Sequence, residues 1–207
     1  MGNQSGSIYG LTILSPVKED PNAAISPSLA IRMYLARLPV DGSGPFGMVT
    51  STHMARLVVL DDVVYFGAPS CEEHLKSKYL IFEANFDGAL DDYLHELATK
   101  AGAEVQAIWQ HCTGFPGVSD IPAFVAYIKR CQVGTTFYFA DVNNKTVQQT
   151  LQALQTQSAV SAFIEKNQGK PPAELQKKFL EFVGRLRSAG TPKPASTRGK
   201  ELTDELL

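Results

Sequence analysis

Three short segments of this chain carry the side chains that could do chemistry. They are residues 52–56 (THMAR), residues 85–88 (NFDG) and residues 108–117 (IWQHCTGFPG). Together they hold two histidines, one arginine, one aspartate and the only tryptophan of the chain. An imidazole titrates near neutral pH and can move protons, and a guanidinium can bind a carboxylate. The segments match no known catalytic signature, so they predict candidate residues rather than a reaction.

The catalytic candidates are His53, His111 and Arg56. His53 stands at the start of a strand, where its alternative role is a hydrogen bond to a loop carbonyl. Arg56 lies three residues further on, on the opposite side of an ideal strand, so both can face one cavity only if a bulge intervenes or the strand begins after His53. Arg56 could clamp an anion, and its simpler interpretation is an ion pair with Asp61, Asp87 or another acid.

The substrate-binding candidates are Trp109, Phe86 and Asn85. If the strand that contains Trp109 continues, Trp109 and His111 share one of its faces, and the two either line a pocket or cap the edge of the sheet. Phe86 would add an apolar wall. Asn85 is better suited to bonding the backbone, and Asp87 precedes a glycine and a helix, which favours an N-cap.

The sequence predicts no metal site. Cys71, His74, His111 and Cys112 could form a Cys₂His₂ set on paper, but ligation by an adjacent pair strains tetrahedral geometry. His111 and Cys112 also point to opposite sides of a strand, so they do not form a nucleophile–base pair. No cofactor is predicted either, because no phosphate-binding or dinucleotide-binding motif is present.

Composition limits the class of protein. The chain has 207 residues, of which 44% are hydrophobic and 19% charged, which fits one domain with or without a helical extension. Its net charge of -2 gives no strong field for nucleic acid or an acidic membrane. No apolar run approaches the roughly 18 residues of a transmembrane segment. Three cysteines without a Cys-x-x-Cys motif predict reduced thiols in a cytoplasmic protein.

Hydrophobic patterning predicts an α+β fold. The predicted strands are Tyr9–Val17, His53–Leu60, Tyr79–Phe86 and Val105–Trp109, and the predicted helices are one that Ser26 caps and Pro39 ends and one over Ala89–Ala101. This βαββαβ order is the ferredoxin-like unit, an antiparallel sheet with both helices on one face. The predicted divisions are a flexible N-terminus (1–8), the α+β domain (9–141), a helical extension (142–187) and a disordered or partner-bound tail (188–207).

The later residues predict mainly helices and one more strand. A helix is expected over Ile121–Cys131 and a strand over Thr135–Ala140. A long helix should start at Thr146 and break at Pro171. Apolar residues then recur every three or four positions and predict an amphipathic helix; they are Leu175, Phe179, Phe182 and Leu186.

The stretches THMARLVVLDD, YLIFEANFDG and AIWQHCTGFPG resemble a little-characterised bacterial branch of the dimeric α/β-barrel superfamily. The resemblance covers roughly residues 9–141. It implies a homodimer whose two ferredoxin-like sheets build one barrel. Members of the superfamily include monooxygenases acting on small aromatics, haem-degrading and haem-peroxidase enzymes, and non-catalytic dimers. The chain departs from the haem-binding members because His95 falls on the polar side of its helix and no histidine follows His111.

The leading functional hypothesis is a small-molecule-binding protein or a cofactor-independent enzyme of oxidation or isomerisation, with a pocket between sheet and helices. One alternative is a non-catalytic accessory or assembly subunit that acts through its C-terminal helices. A third is a haem-binding, peroxidase-like protein. The expected partners are a small-molecule ligand and a second copy of the chain, without nucleic acid.

Overall fold

The computed structural model describes residues 2–40, 44–63, 67 and 74–189. They form an α+β protein with one antiparallel sheet. The strands are β1 (Gln4–Ser5), β2 (Ile8–Pro16), β3 (Thr52–Leu60) and β4 (Tyr79–Asp87). Their order is β1-β2-β4-β3, so β4 lies between β2 and β3 and pairs antiparallel with both.

The sheet has one covered face and one open face. Along β4 the buried residues alternate with half-buried ones, as expected where successive side chains point to opposite faces. The covered face carries the core, which includes Leu80, Phe82, Ala84 and Phe86. The opposite face is called the open face here, and its members are Gly10, Thr12, Leu14, Met54, Arg56, Val58, Ile81, Glu83 and Asn85.

Five helices supply the other side of the core. They are α1 (Pro27–Leu35), α2 (Pro45–Met48), α3 (Leu90–Lys100), α4 (Gly102–Trp109) and α5 (Ile121–Cys131). Side chains at two N-caps accept backbone hydrogen bonds, Ser26 in α1 and Asp120 in α5. The helices bury apolar residues against the covered face, among them Ile31, Leu94, Leu97, Val105, Ile108 and Phe124.

Two longer helices follow, α6 (Val147–Asn167) and α7 (Pro172–Ser188). Thr146 and Gln149 form a capping box at the start of α6, and Pro171 separates the two helices. The pair has a small core of its own, formed by Ala159, Phe163 and Phe182. None of the helices in the described part of the chain is long and apolar enough to cross a bilayer.

The prediction of an α+β fold with an antiparallel sheet is confirmed, and the predicted fourth strand is wrong. Val105–Trp109 lies in helix α4. Val105, Ile108 and Trp109 follow one another at steps of three and one, which places them on one side of a helix, and all three are buried. Residues 135–140 likewise form no strand. The ferredoxin-like strand order and helix placement therefore remain a prediction.

Candidate functional site on the open sheet face

A β-bulge at His53 decides which side chains meet. Thr52 pairs with Phe86 and Met54 pairs with Asn85, so His53 is an extra residue on β3. The bulge turns His53 toward the open face, the same face that carries Arg56. A bulge was one of the two conditions under which His53 and Arg56 were expected to face one cavity.

His53 contacts Asp87 at the end of β4. His53 Nε2 lies 2.8 Å from Asp87 Oδ1. The side chains are 23% and 14% exposed respectively, so solvent reaches this pair only in part. Since an ionised carboxylate only accepts hydrogen bonds, a neutral His53 imidazole in this contact donates its Nε2–H and has Nδ1 as the acceptor. His53 Nδ1 makes no hydrogen bond within the described ranges. An oriented imidazole with a free acceptor nitrogen can take a proton from a ligand.

Asp87 also holds the start of α6, because its Oδ2 accepts a hydrogen bond from the backbone N–H of Val147 at 2.8 Å. The sequence predicted Asp87 as the N-cap of the helix that follows it. That prediction is wrong, because the N-cap of α3 is Ala89 and it makes no side-chain capping bond. Asp87 instead connects the sheet, His53 and the C-terminal helices.

Arg56 is bound to an acid on the neighbouring strand. Its Nε lies 2.8 Å from Glu83 Oε2, and a second guanidinium nitrogen donates to the same oxygen. Arg56 and Glu83 are paired across β3 and β4, which explains the contact. From the sequence, the simpler interpretation of Arg56 was an ion pair with Asp61, Asp87 or another acid. Because Glu83 offsets its charge, Arg56 should attract an anion less strongly than an unpaired arginine would.

Asn85 accepts a side-chain bond from a residue far along the chain. Tyr138 donates its hydroxyl to Asn85 Oδ1 at 3.0 Å. Burial raises the pKa of Tyr138, so its hydroxyl keeps its proton at neutral pH. The open-face cluster is thereby complete, and its members are His53, Arg56, Glu83, Asn85, Asp87 and Tyr138. With His53 neutral it carries one positive and two negative charges.

His111 lies at the other end of the sheet. Its backbone carbonyl accepts a hydrogen bond from Lys18, next to Val17, which in turn bonds Lys78 just before β4. His53 contacts Asp87, which is the last of the nine residues of β4. Nine residues span about 26 Å at roughly 3.3 Å per residue, so His53 and His111 lie at opposite ends of the sheet. Burial, with a smaller effect of Lys18, lowers the pKa of His111. The structure does not bring the two predicted catalytic histidines together.

Trp109 and Phe86 lie inside the core. Trp109 is 1% exposed, and its indole N–H donates to Ser15 Oγ at 3.3 Å. Phe86 is fully buried between the rings of Tyr9 and Tyr93, with ring centroids 5.3 and 3.7 Å away. Both residues stabilise the packing of helices on the covered face. Neither side chain lies on the open face, so neither is a member of the open-face cluster.

A groove lies between α3 and α5 and contains His95. Its volume is about 980 Å³, and its charged lining residues are Asp91, Asp92, Asp120 and Lys129. Lys129 is ion-paired with Asp91, so the groove stays acidic. Haem carries two propionates, which three carboxylates would repel. The charge of the lining therefore disfavours an anionic ligand in this groove, which holds the one histidine of α3 and α5.

The described residues do not bring together the Cys₂His₂ set of possible zinc ligands. Cys71 lies outside the described residues. Cys112 is fully buried and His111 half-buried, and His74 bonds Asp62 at 2.7 Å. No group of three metal-binding side chains occurs in the described part of the chain.

Sequence reasoning missed Glu83 and Tyr138 as members of the cluster. Glu83 stands in the strand YLIFEANF, where a charged residue among apolar ones indicates a side chain on the less covered face. Tyr138 gave no local signal, because it lies more than fifty residues from Asn85. Only tertiary structure could place it there.

Comparison with models of protein families, with curated proteins and with solved structures returned no match to this chain. The resemblance to the dimeric α/β-barrel superfamily thus gains no support from relatives. The function has to be argued from the geometry alone.

Proposed function

We propose that this chain binds a small molecule on the open face of its sheet, with His53 as the acid–base group and Asp87 as the residue that orients it. The observation that carries the proposal is the bulge, which puts the His53–Asp87 pair on the same face as Arg56 and Asn85. A bulge re-aims a side chain, and such bulges are frequent next to active sites.

The charges of the cluster favour an uncharged ligand. Arg56 is neutralised by Glu83, and Asp87 leaves a negative charge beside His53. A ligand hydroxyl could donate its proton to His53 Nδ1, and the resulting imidazolium would be stabilised by Asp87. Proton removal of this kind is a first step for cofactor-independent oxidation or isomerisation.

The test compares two histidine variants of the full chain. The four methionine methyl groups are labelled with ¹³C, and their NMR signals are followed while a library of uncharged small molecules is titrated in. Met54 is 61% exposed next to His53, so a ligand on the open face should shift its signal. His53→Ala should weaken this binding at least tenfold, whereas His111→Ala at the other end of the sheet should leave it unchanged.

The proposal is wrong if the ligands that bind shift Met33 or Met48 but not Met54. It is also wrong if His53→Ala binds them as well as the natural chain does. A melting curve for each variant separates lost binding from lost folding, because His53 lies at a sheet end and its loss should leave the fold intact.

We further propose a ferredoxin-like fold in which α4 takes the place of the fourth strand, and a homodimer formed through the open face. The order β2-β4-β3 with α1 between β2 and β3 supports the fold. For the dimer, Val58 is 40% exposed on the open face. The Arg56–Glu83 pair is self-complementary, since a twofold axis would set each arginine opposite the partner copy's glutamate.

A second candidate function is an accessory or assembly subunit that acts through α6 and α7. Three apolar residues support it, because Ile164, Phe179 and Leu180 are 54%, 48% and 65% exposed. Exposed apolar residues on paired helices favour a protein contact. This candidate and the open-face dimer predict different interfaces, which a single measurement can separate.

A further inference from the structure

Helix α7 carries a stripe of four exposed residues, called the α7 stripe here. Its members are Lys177, Leu180, Gly184 and Arg187. They follow one another at steps of three, four and three, so they lie on one side of the helix. Phe182 comes two residues after Leu180, about 200° around the helix, and its ring stacks on Phe163 of α6 at 4.7 Å. The α7 stripe therefore faces away from α6.

Both ends of the α7 stripe carry a positive charge without a partner. Within the described ranges, neither Lys177 nor Arg187 forms an ion pair or a side-chain hydrogen bond. The nearby acid Glu174 is paired with Lys170 and Lys178 instead. The two helices and the turn between them contain six basic and three acidic residues, in a chain whose net charge is -2. Positive charge is thus concentrated on this part of the molecule.

An exposed leucine lies between the two cations. Leu180 is 65% exposed, more than any other large apolar residue of α6 and α7 in the described part of the chain. A large apolar side chain in this position gains nothing from the small core of the two helices, which Ala159, Phe163 and Phe182 form. Burial of Leu180 requires a contact from outside the chain.

Gly184 leaves the backbone of α7 uncovered beside Leu180. A Cβ on Gly184 would meet no atom within 4 Å, and Gly184 is not among the glycines with a positive φ. Neither internal packing nor backbone conformation therefore requires a glycine here, although glycine destabilises a helix relative to alanine. Small residues allow a second helix to approach closely, and such an approach accounts for Gly184.

We propose that the α7 stripe docks an acidic amphipathic helix of a partner protein, with carboxylates facing Lys177 and Arg187 and an apolar side chain against Leu180 and Gly184. The inference rests on the second candidate function, assembly through α6 and α7, and not on the ligand site. Lys177 and Arg187 are ten residues apart on α7, which is about 15 Å along its axis. The matching carboxylates of a docked helix therefore lie about ten residues apart as well.

The composition of the α7 stripe disfavours two other occupants. A second copy of α7 would place cations opposite cations, and like charges repel. A lipid bilayer binds helices through a wide apolar face, and Leu180 is the only large apolar member of the α7 stripe. An acidic helix meets both the charge and the single apolar contact.

The experiment measures binding of synthetic helices of about 20 residues to the full chain by fluorescence anisotropy of a dye on each peptide. The acidic probe has a leucine face at helical spacing and two glutamates on that face, ten residues apart. A second probe replaces both glutamates by lysine, and a third moves them to the opposite face. The natural chain should bind the acidic probe at least tenfold tighter than either of the others, and high salt should weaken this binding.

Charge reversal separates the α7 stripe from the rest of the helix. Arg187→Glu should weaken binding of the acidic probe at least fivefold and improve binding of the lysine probe. Arg185→Glu is the matched control, because it makes the same charge change about 200° around the helix. It should alter binding less than twofold at physiological salt.

Gly184→Gln distinguishes a docking role from a structural one. Glutamine is the better helix former, so the melting temperature should rise. Its side chain should obstruct the approaching helix and weaken binding of the acidic probe at least tenfold. An increase in melting temperature with unchanged binding overturns the role of Gly184 in docking and, with it, the placement of the partner on the α7 stripe.

The remaining outcomes separate this inference from the second candidate function. Equal binding of all three probes that Leu180→Ala abolishes overturns the acidic partner and leaves assembly through the helices standing. Binding to phosphatidylserine vesicles that Arg187→Glu abolishes, without binding of the acidic probe, overturns the inference in favour of a membrane surface. Absence of binding by all three probes also overturns it, and sedimentation of Leu180→Lys then decides the second candidate function.

Discussion

At the scale of single residues, burial separates the candidates that can meet a ligand from those that cannot. Phe86 and Trp109 are 0% and 1% exposed, so their rings are covered by the other core residues. His53 and Arg56 retain exposed side chains and hydrogen-bonded acid partners. Residue type alone suggests a ligand role for all four residues. Only the exposure of their side chains separates His53 and Arg56 from Phe86 and Trp109.

Cys112 gives a prediction for alkaline solution. Burial, with a smaller effect of Cys131, raises its pKa from an ordinary 9.0 to about 12. Between these values the unfolded thiol has lost its proton and the folded thiol keeps it, so the free energy of unfolding falls as pH rises from about 9 to about 12. Below pH 9 this contribution is fully present. From pH 8 to pH 10.5 the loss from Cys112 should be about 2 kcal/mol.

Urea unfolding at the two pH values measures this loss. Cys112→Ala should show a smaller decrease than the natural chain, and the half-buried Cys131→Ala should behave like the natural chain. Part of the decrease will persist in Cys112→Ala, because burial also raises the pKa of Tyr93 to about 12. An equal decrease in the natural chain and in Cys112→Ala contradicts the prediction.

At the scale of elements, the candidate site is positioned mainly by the ends of strands and helices and by the bulge in β3. The bulge in β3 re-aims His53, and the start of α6 is bound to Asp87 at the end of β4. The first turn of α6 is therefore tied to the candidate site. Its capping box adds two reciprocal bonds between Thr146 and Gln149.

Loss of the cap should loosen α6 in a way that a mid-helix substitution does not. Thr146→Ala removes the acceptor for the Gln149 N–H and should cost about 1 kcal/mol. Thr156→Ala is the control, since its hydroxyl only bonds the carbonyl of Gln152 within the same helix. Alanine should be neutral or stabilising there by up to about 0.7 kcal/mol.

Amide hydrogen exchange in α6 distinguishes the two threonine variants. Thr146→Ala should speed exchange of the α6 amides about fivefold, and Thr156→Ala should leave them equal or slower. Equal acceleration in both variants would mean that the capping box does not hold the helix.

At the scale of the whole molecule, the open face and the outer side of the C-terminal helices are the two surfaces proposed as interfaces. The open face combines exposed Val58 with the Arg56–Glu83 pair. The helices expose Ile164 and Leu180.

Sedimentation velocity should decide between these interfaces. The natural chain should sediment as a dimer of the 22.5 kDa chain at micromolar concentration. Val58→Lys should give monomers, because it buries an unpaired charge in the open-face interface. Leu180→Lys should remain dimeric. A natural chain that is monomeric throughout contradicts the homodimer, and dissociation by Leu180→Lys alone favours assembly through the helices.

Sequence patterns predicted the elements whose signals are local. The three long strands, the Ser26 cap, the long helix from Thr146 and the amphipathic helix after Pro171 all follow from periodicity and capping residues. The error at 105–109 arose because a short apolar run fits a buried strand or a buried helix equally well. Its three-residue spacing from Val105 to Ile108 was the helical signal.

The sequence by itself determined which residue types were present for proton transfer and that an antiparallel α+β core would form, and it left Arg56 either an anion clamp or an ion pair with an acid. Tertiary structure alone decided the membership of the site. It bulged β3 at His53, brought Tyr138 to Asn85, and placed His111 at the opposite end of the sheet. These outcomes depend on register, strand order and contacts between distant residues, and local sequence preferences specify none of the three.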